Sequence, residues 1–163
     1  MIRTRMAVPD DARELVRLRR LMFLGMHGRD EPGPWERDAE AVARRELRRD
    51  TASGRLGAFV VDGDEPGPPH LAACAVGTVE ERLPAPKHPA GRFGFVFSVC
   101  TDERYRGRGY ARTTTEALLA WFAGQDVTRV DLHASGDAEH LYRSMGFADH
   151  SIPLSIDLSA RRE

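Results

Sequence analysis

Residues 93–101, FGFVFSVCT, constrain the fold most, because they are apolar on both alternating faces of an extended chain. A strand that turns one face to water alternates apolar with polar residues, whereas a run like this one needs a covering layer on each side. The next stretch, RYRGRGYA (104–111), sets two glycines and three arginines ahead of a helical pattern over 109–123, with Ala111, Leu118, Trp121 and Phe122 toward the core. A covered strand, a bare basic loop and a helix stand in succession.

The flanking patterns extend this unit to a layered domain. Residues 2–7 read as a short strand, and Pro9-Asp10-Asp11 opens a helix with an aspartate as cap, Leu15, Leu18 and Met22 at helical spacing, and an end near His27-Gly28. GRDEPGP (28–34) then breaks the chain before a second amphipathic helix at about 36–50, with Ala39, Val42, Ala43 and Leu47 on its apolar face. Leu56 to Val61 and Leu71 to Val79 predict an antiparallel hairpin with a long turn. Further strands are expected at 127–134 and, beginning at or broken by Pro153, at 152–158 (IPLSIDL), with a short helix at about 138–145 closed by Gly146. The order β-α-α-β-β-β-α-β-α-β predicts an α/β chain whose mixed sheet carries helices on both faces. A length of 163 residues fits a single domain, 1–163.

A helix start leaves its first backbone N–H groups without partners and carries roughly half a positive charge, so it attracts anions. Gly107 and Gly109 have no Cβ to hold a bulky anion away, and Arg104, Arg106 and Arg108 can add charge-assisted bonds. The loop therefore reads as a phosphate cradle, most simply for a pyrophosphate. It is not a P-loop, since Tyr110 and Ala111 stand where Lys and Ser/Thr would be needed, and GxGxxG fails at Arg112.

The run Arg104-x-x-Gly107-x-Gly109-x-Ala111, preceded by a strand ending Val99-Cys100-Thr101 and followed about 30 residues later by LYRSMGF (141–147), resembles the GCN5-related N-acetyltransferases (GNAT). The resemblance is sharp over 93–147 and compatible in element order from 2 to 80. It implies the GNAT fold, a mostly antiparallel α+β arrangement, and an enzyme that uses acetyl-coenzyme A as cosubstrate. In such a fold Arg104, Arg106, Gly107, Arg108 and Gly109, with Tyr110 and Ala111, would bind the pyrophosphate. Main-chain groups of Val99 and Thr101, which face one way in a strand, would pair with the pantetheine arm. Tyr142 matches the family tyrosine near the coenzyme sulfur and is implied as general acid. Where the family commonly has an asparagine on the arm, this chain has Ser135, which could instead cap the helix.

Acetyl transfer to an amine needs a neutral amine, a polarised thioester and a proton for the departing thiolate. The base is left open among Glu80, Glu81, Asp131 and His133, because no acidic residue lies in 93–101. Direct attack in a ternary complex is expected, since Cys100 sits in the apolar strand and no Cys/His arrangement suggests an acetyl-enzyme. The expected acceptor is a primary amine of a small molecule or a peptide; an inactive acyl-coenzyme A sensor, or transfer of another acyl group, are the alternatives. HGRDEPGPWERD (27–38) offers Asp30, Glu31, Glu36 and Asp38 near Trp35 either as a seat for a cationic amine or as a solvated loop and charged first helical turn.

Charge and composition narrow the partners. The 24 basic and 25 acidic residues nearly cancel, and ARRELRR (43–49) contains Glu46 and no aromatic residue, so nucleic acid is not an expected ligand. No apolar run approaches the roughly 20 residues of a membrane span, and Met1 to Met6 lack the apolar core of a secretory signal, so a cytoplasmic protein is expected. Cys74 and Cys100 read as buried small residues, with no metal site. The last strand could pair across a homodimer. Gly109→Ala should crowd the pyrophosphate while leaving the fold intact.

Overall fold

Asp11 sets the first corner. Its carboxylate accepts the Val8 N–H at 2.8 Å and a two-pronged bond from Arg5 at 2.7 and 2.9 Å, so a fully buried acid is neutralised where the first helix begins. The computed structural model describes residues 1–49 and 54–161. Along them run β1 (Thr4–Met6), α1 (Ala12–His27), α2 (Trp35–Leu47), β2 (Leu56–Asp62), β3 (Leu71–Glu81), β4 (Arg92–Thr101), α3 (Tyr110–Gly124), β5 (Arg129–Leu132) and α4 (Glu139–Ser144). They fall into two compact units, Met1–Leu132 and His133–Glu163.

The first unit is a five-stranded sheet in the order β1-β2-β3-β4-β5, antiparallel except for the parallel β4–β5 pair. Helix α1 covers one face, where Leu15 and Leu18 join Val60, Leu71, Cys74, Val76 and Cys100. Helix α3 covers the other, where Leu118 and Phe122 pack on Ala75, Val79 and Val96. Phe122 is fully buried, which contributes about 3 kcal/mol. Its ring has room because position 77 is glycine: a Cβ there would lie 2.8 Å from the ring and 2.7 Å from the Phe95 carbonyl oxygen.

The α/β fold with helices on both faces is as the sequence predicts, and the differences are local. The deepest strand is β3, buried along almost its whole length, whereas alternate residues of β4 from Phe95 to Thr101 keep some exposure. Helix α2 has no buried residue: Val42 is exposed and Leu47 alone among its expected apolar residues packs on the core cluster. Its expected end reached Asp50, which lies outside the described residues.

In the second unit α4 is six residues long, and Phe147 turns back so that its N–H reaches the Tyr142 carbonyl at 3.1 Å and its ring meets that of Tyr142 edge-on. The strand expected over 152–158 does not form. Ile152, Leu154 and Ile156 are exposed in irregular chain, and Leu158–Arg161 forms a 3-10 turn. Pro153 has no N–H to donate, and the described residues of this unit hold no other strand for a ladder. No helix of the described residues is long and apolar enough to cross a membrane.

Candidate active site

Strand β4 changes character midway. Phe93 to Val96 pair with β3 on one side and with Arg129 to Leu132 of β5 on the other. Beyond Val96 β5 has ended, and the pairing with β3 slips, Val76 facing Ser98 and Gly77 facing Val96. Phe97 is the extra residue of this bulge, which turns Phe97 and Ser98 toward the α1 face. At the strand's end the Asp102 N–H bonds to the Ala72 carbonyl of β3 at 2.8 Å. By strand alternation Cys100 also faces β3, so Val99 and Thr101 direct their N–H and C=O groups to the edge that β5 leaves open.

That edge runs into the loop, which its own side chains clamp. Asp102 accepts the Arg104 N–H at 3.1 Å and an ion pair from Arg17 of α1 at 2.7 Å. Burial works against the charge on Asp102, but these bonds outweigh it and hold the carboxyl below its usual range. Tyr105 is buried and donates its hydroxyl proton to Asp64, whose N–H reaches the same oxygen at 3.1 Å. The Tyr110 ring stacks on Tyr105 and packs against the Val61, Ala72 and Ala73 cluster, which leaves its backbone N–H at the mouth of α3.

Gly107 and Gly109 have φ of +77° and +82°, the left-handed region that side chains resist. The backbone demands both glycines whatever they bind, which corrects the expectation for Gly109→Ala: the variant is strained, by about 1–2 kcal/mol, even though its Cβ would meet the Ile2 side chain at an ordinary 3.6 Å. The first turn of α3 holds no acidic residue, so nothing on that turn neutralises the positive end of a 15-residue helix.

The arginines divide by role. Arg104 is committed within the fold, its guanidinium 2.5 Å from Glu65 and 2.8 Å from the His70 ring. Arg106 touches the Thr101 carbonyl at 3.3 Å, and Arg108 lies over the Tyr105 ring and reaches the Arg104 carbonyl at 3.4 Å. Neither has a carboxylate at ion-pair distance among the described residues.

In the second unit Tyr142 is buried, and burial pushes its phenol above the ordinary value of 10.0. Arg143 beside it is held by Glu139 at 2.8 Å and Asp149 at 2.9 Å. Ser135 is exposed, and its carbonyl accepts from Ala138 and Glu139 at 3.0 and 3.1 Å while no side-chain cap bond forms at α4.

Two of the four carboxylate and histidine candidates for the base are far from the open edge. Glu80 and Glu81 face Phe93 and Arg92, roughly 20 Å along β4 from Val99 at about 3.3 Å per residue, and pair with Arg82 and Arg92. Asp131 faces Phe95, and Arg129 lies 3.7 Å from it. His133 is exposed at the start of the second unit. Burial pushes the Cys100 thiol up to about 11 and the Cys74 thiol up as well, so neither is a thiolate nucleophile. No cluster of metal-ligating side chains occurs among the described residues.

The sequence reading missed the clamp of Asp102, Tyr105, Asp64 and Arg17, which joins residues up to 85 apart in the chain. It also missed Arg19, Phe97 and Ser98 at the bulge; the one polar side chain inside an apolar strand was the signal for Ser98.

Solved structures share this architecture. A predicted acetyltransferase from Clostridium acetobutylicum, crystallised with acetyl-CoA, superposes with a TM-score of 0.79 at 21% identity, covering 98% of each chain. A GCN5-related N-acetyltransferase from Ralstonia eutropha JMP134 gives 0.73 at 24% identity, covering 97% of this chain and 99% of that one. Glucosamine-6-phosphate N-acetyltransferase from Arabidopsis thaliana gives 0.72 at 18% identity over 96% and 98%. No curated protein sequence matches significantly. The model of the acetyltransferase (GNAT) family matches residues 20–147, from the second half of α1 through β4, the loop and α4, and the chain belongs to that family.

Proposed function

We propose that the protein is an acetyl-coenzyme A dependent N-acetyltransferase acting on a primary amine by direct attack. The observation that carries this reading is the open edge of β4 at Val99 and Thr101, leading without interruption into the clamped, glycine-bent loop and the unneutralised start of α3. Backbone N–H groups of Gly107, Gly109, Tyr110 and Ala111, with the guanidinium groups of Arg106 and Arg108, would hold the pyrophosphate. Arg104 holds the loop in shape from beneath. The family match runs across both units, which supports one functional domain over 1–163.

A pantetheine arm paired with Thr101 and then Val99 leads away from the loop toward Phe97 and Ser98, so the thioester lies at the bulge. The amine nitrogen attacks the thioester carbon, the C–N bond forms, the C–S bond breaks, and the thiolate takes the phenolic proton of Tyr142. The ammonium proton leaves to water, and the phenol is then reprotonated from solvent. A phenol held above its usual pKa by burial stays protonated at neutral pH and suits this role.

Thermal unfolding with and without acetyl-coenzyme A, with NAD and ATP as controls, tests the reading. A ligand at a hundred times its Kd adds about 2.7 kcal/mol of stability, and a shift specific to acetyl-coenzyme A is expected. Absence of that shift removes the basis for the proposal. Tyr142→Phe should keep the shift and lose most of the turnover. In the unsubstituted protein the loss of turnover that comes from ionising this phenol should set in at a higher pH than for an ordinary tyrosine.

A further inference from the structure

Three arginines of helix α1, Arg17, Arg19 and Arg20, make side-chain contacts beyond the helix, and their surroundings differ. Arg17 pairs with Glu14 at 2.6 Å and Asp102 at 2.7 Å, and Arg20 with Asp30 at 2.6 Å and Glu36 at 3.4 Å. Arg19, between them, is half-buried and has no carboxylate at ion-pair distance among the described residues. Its guanidinium lies over the rings of Phe23 at 4.8 Å and Phe97 at 5.3 Å, and donates to Ser98 Oγ at 2.5 Å. Burial pulls its pKa down, against an opposing effect of Cys74, yet a guanidinium stays charged.

Phe97 and Ser98 are the bulge residues, so the unmatched cation stands on the α1 face where, on the reading above, the thioester ends. We infer that Arg19 binds an anionic group of the acceptor, so that the substrates are primary amines that also carry a carboxylate or a phosphate. The flat fork held between two rings leaves donors in one plane, the geometry that a two-oxygen edge matches. The acids of 28–38 favour the same conclusion by subtraction. Asp30 and Glu36 are matched by Arg20 and Glu31 lies 3.8 Å from Arg29, so most of the negative charge of this stretch is already paired, while Asp38 stands exposed in the first turn of α2.

The inference rests on the proposed acetyl transfer, and the test separates the two. The full chain, saturated with acetyl-coenzyme A, is offered matched amines: α-amino acids against their amides, and phosphoethanolamine and glucosamine 6-phosphate against ethanolamine and glucosamine. Thiol release gives kcat/KM, and thermal shift of the protein loaded with coenzyme A gives binding. At least one anionic amine should exceed its neutral partner by tenfold or more, and the pairs tell carboxylate from phosphate. Arg19→Gln should erase that preference while the acetyl-coenzyme A shift stays unchanged, and Arg19→Lys should keep part of it. A preference for the neutral partners, a preference that survives in Arg19→Gln, or a panel in which no anionic amine binds or reacts overturns the inference. If Arg19→Gln does not fold, the preference of the unsubstituted protein decides. Loss of the acetyl-coenzyme A shift in the unsubstituted protein would instead remove the underlying function.

Discussion

The two halves of β4 share one apolar pattern and do different work. From Phe93 to Val96 the strand is paired on both edges, and Val96 packs under Leu118 and Phe122. From Val99 to Thr101 it keeps β3 on one edge, and among the described residues no strand pairs with the other, where the Thr101 carbonyl meets the Arg106 side chain. A paired edge satisfies its hydrogen bonds inside the fold, and a bare one keeps donors and acceptors for something else. The bulge at Phe97 marks the change and aims two side chains at α1. The comparison teaches that stability and ligand binding can be assigned to neighbouring residues of one strand by asking where each N–H goes.

The strongest way to break this division is to overfill the paired half. Gly77→Val, opposite Val96, would force side-chain atoms against the Phe95 carbonyl and the Phe122 ring. Urea unfolding should show a loss of about 3 kcal/mol, with the affinity of the remaining folded protein for acetyl-coenzyme A unchanged. An affinity that fell in step would mean the halves are not separable.

The open half should answer in the opposite way. Val99→Pro removes an N–H that points away from β3, so acetyl-coenzyme A should bind about tenfold more weakly, about 1.4 kcal/mol, while the unfolding midpoint moves little. A midpoint drop as large as that of Gly77→Val would place the Val99 N–H in the ladder and reverse the alternation.

The smallest effect sharpens the role of the loop. Gly109→Ala combines backbone strain with a new Cβ, whereas asparagine tolerates the left-handed conformation and adds a side chain all the same. Gly109→Ala should lose about 1 kcal/mol of stability and Gly109→Asn less, measured by chemical unfolding. Equal weakening of acetyl-coenzyme A binding in both would identify crowding of the pyrophosphate. Normal binding in Gly109→Asn would leave the glycine a purely conformational requirement.

Much of this was legible from residue order. The hairpin of β2 and β3 and the helix after the loop came from local patterning, which acts within a few residues, whereas Asp11 stands at the start of α1 without a side-chain cap bond, its carboxylate turned back to Val8 and Arg5. The edge strand at 152–158 did not form, because alternation states which residues could share a face and says nothing of whether a partner strand is present. The three loop arginines look alike in sequence, yet Arg104 is held by Glu65 and His70, residues more than thirty positions away. Asp30 and Glu36, on either side of Trp35, looked available for a cation until Arg20 closed on them.

By itself the sequence determined the periodic elements, the glycine-bent loop at a helix mouth and the family that these imply, because each depends on spacing along the chain. Only the tertiary structure decided where β5 stops beside β4, which residue bulges, which arginines keep their charge unmatched and which acids are already neutralised. Those depend on pairings between segments distant in sequence, whose energies are settled only when the segments meet.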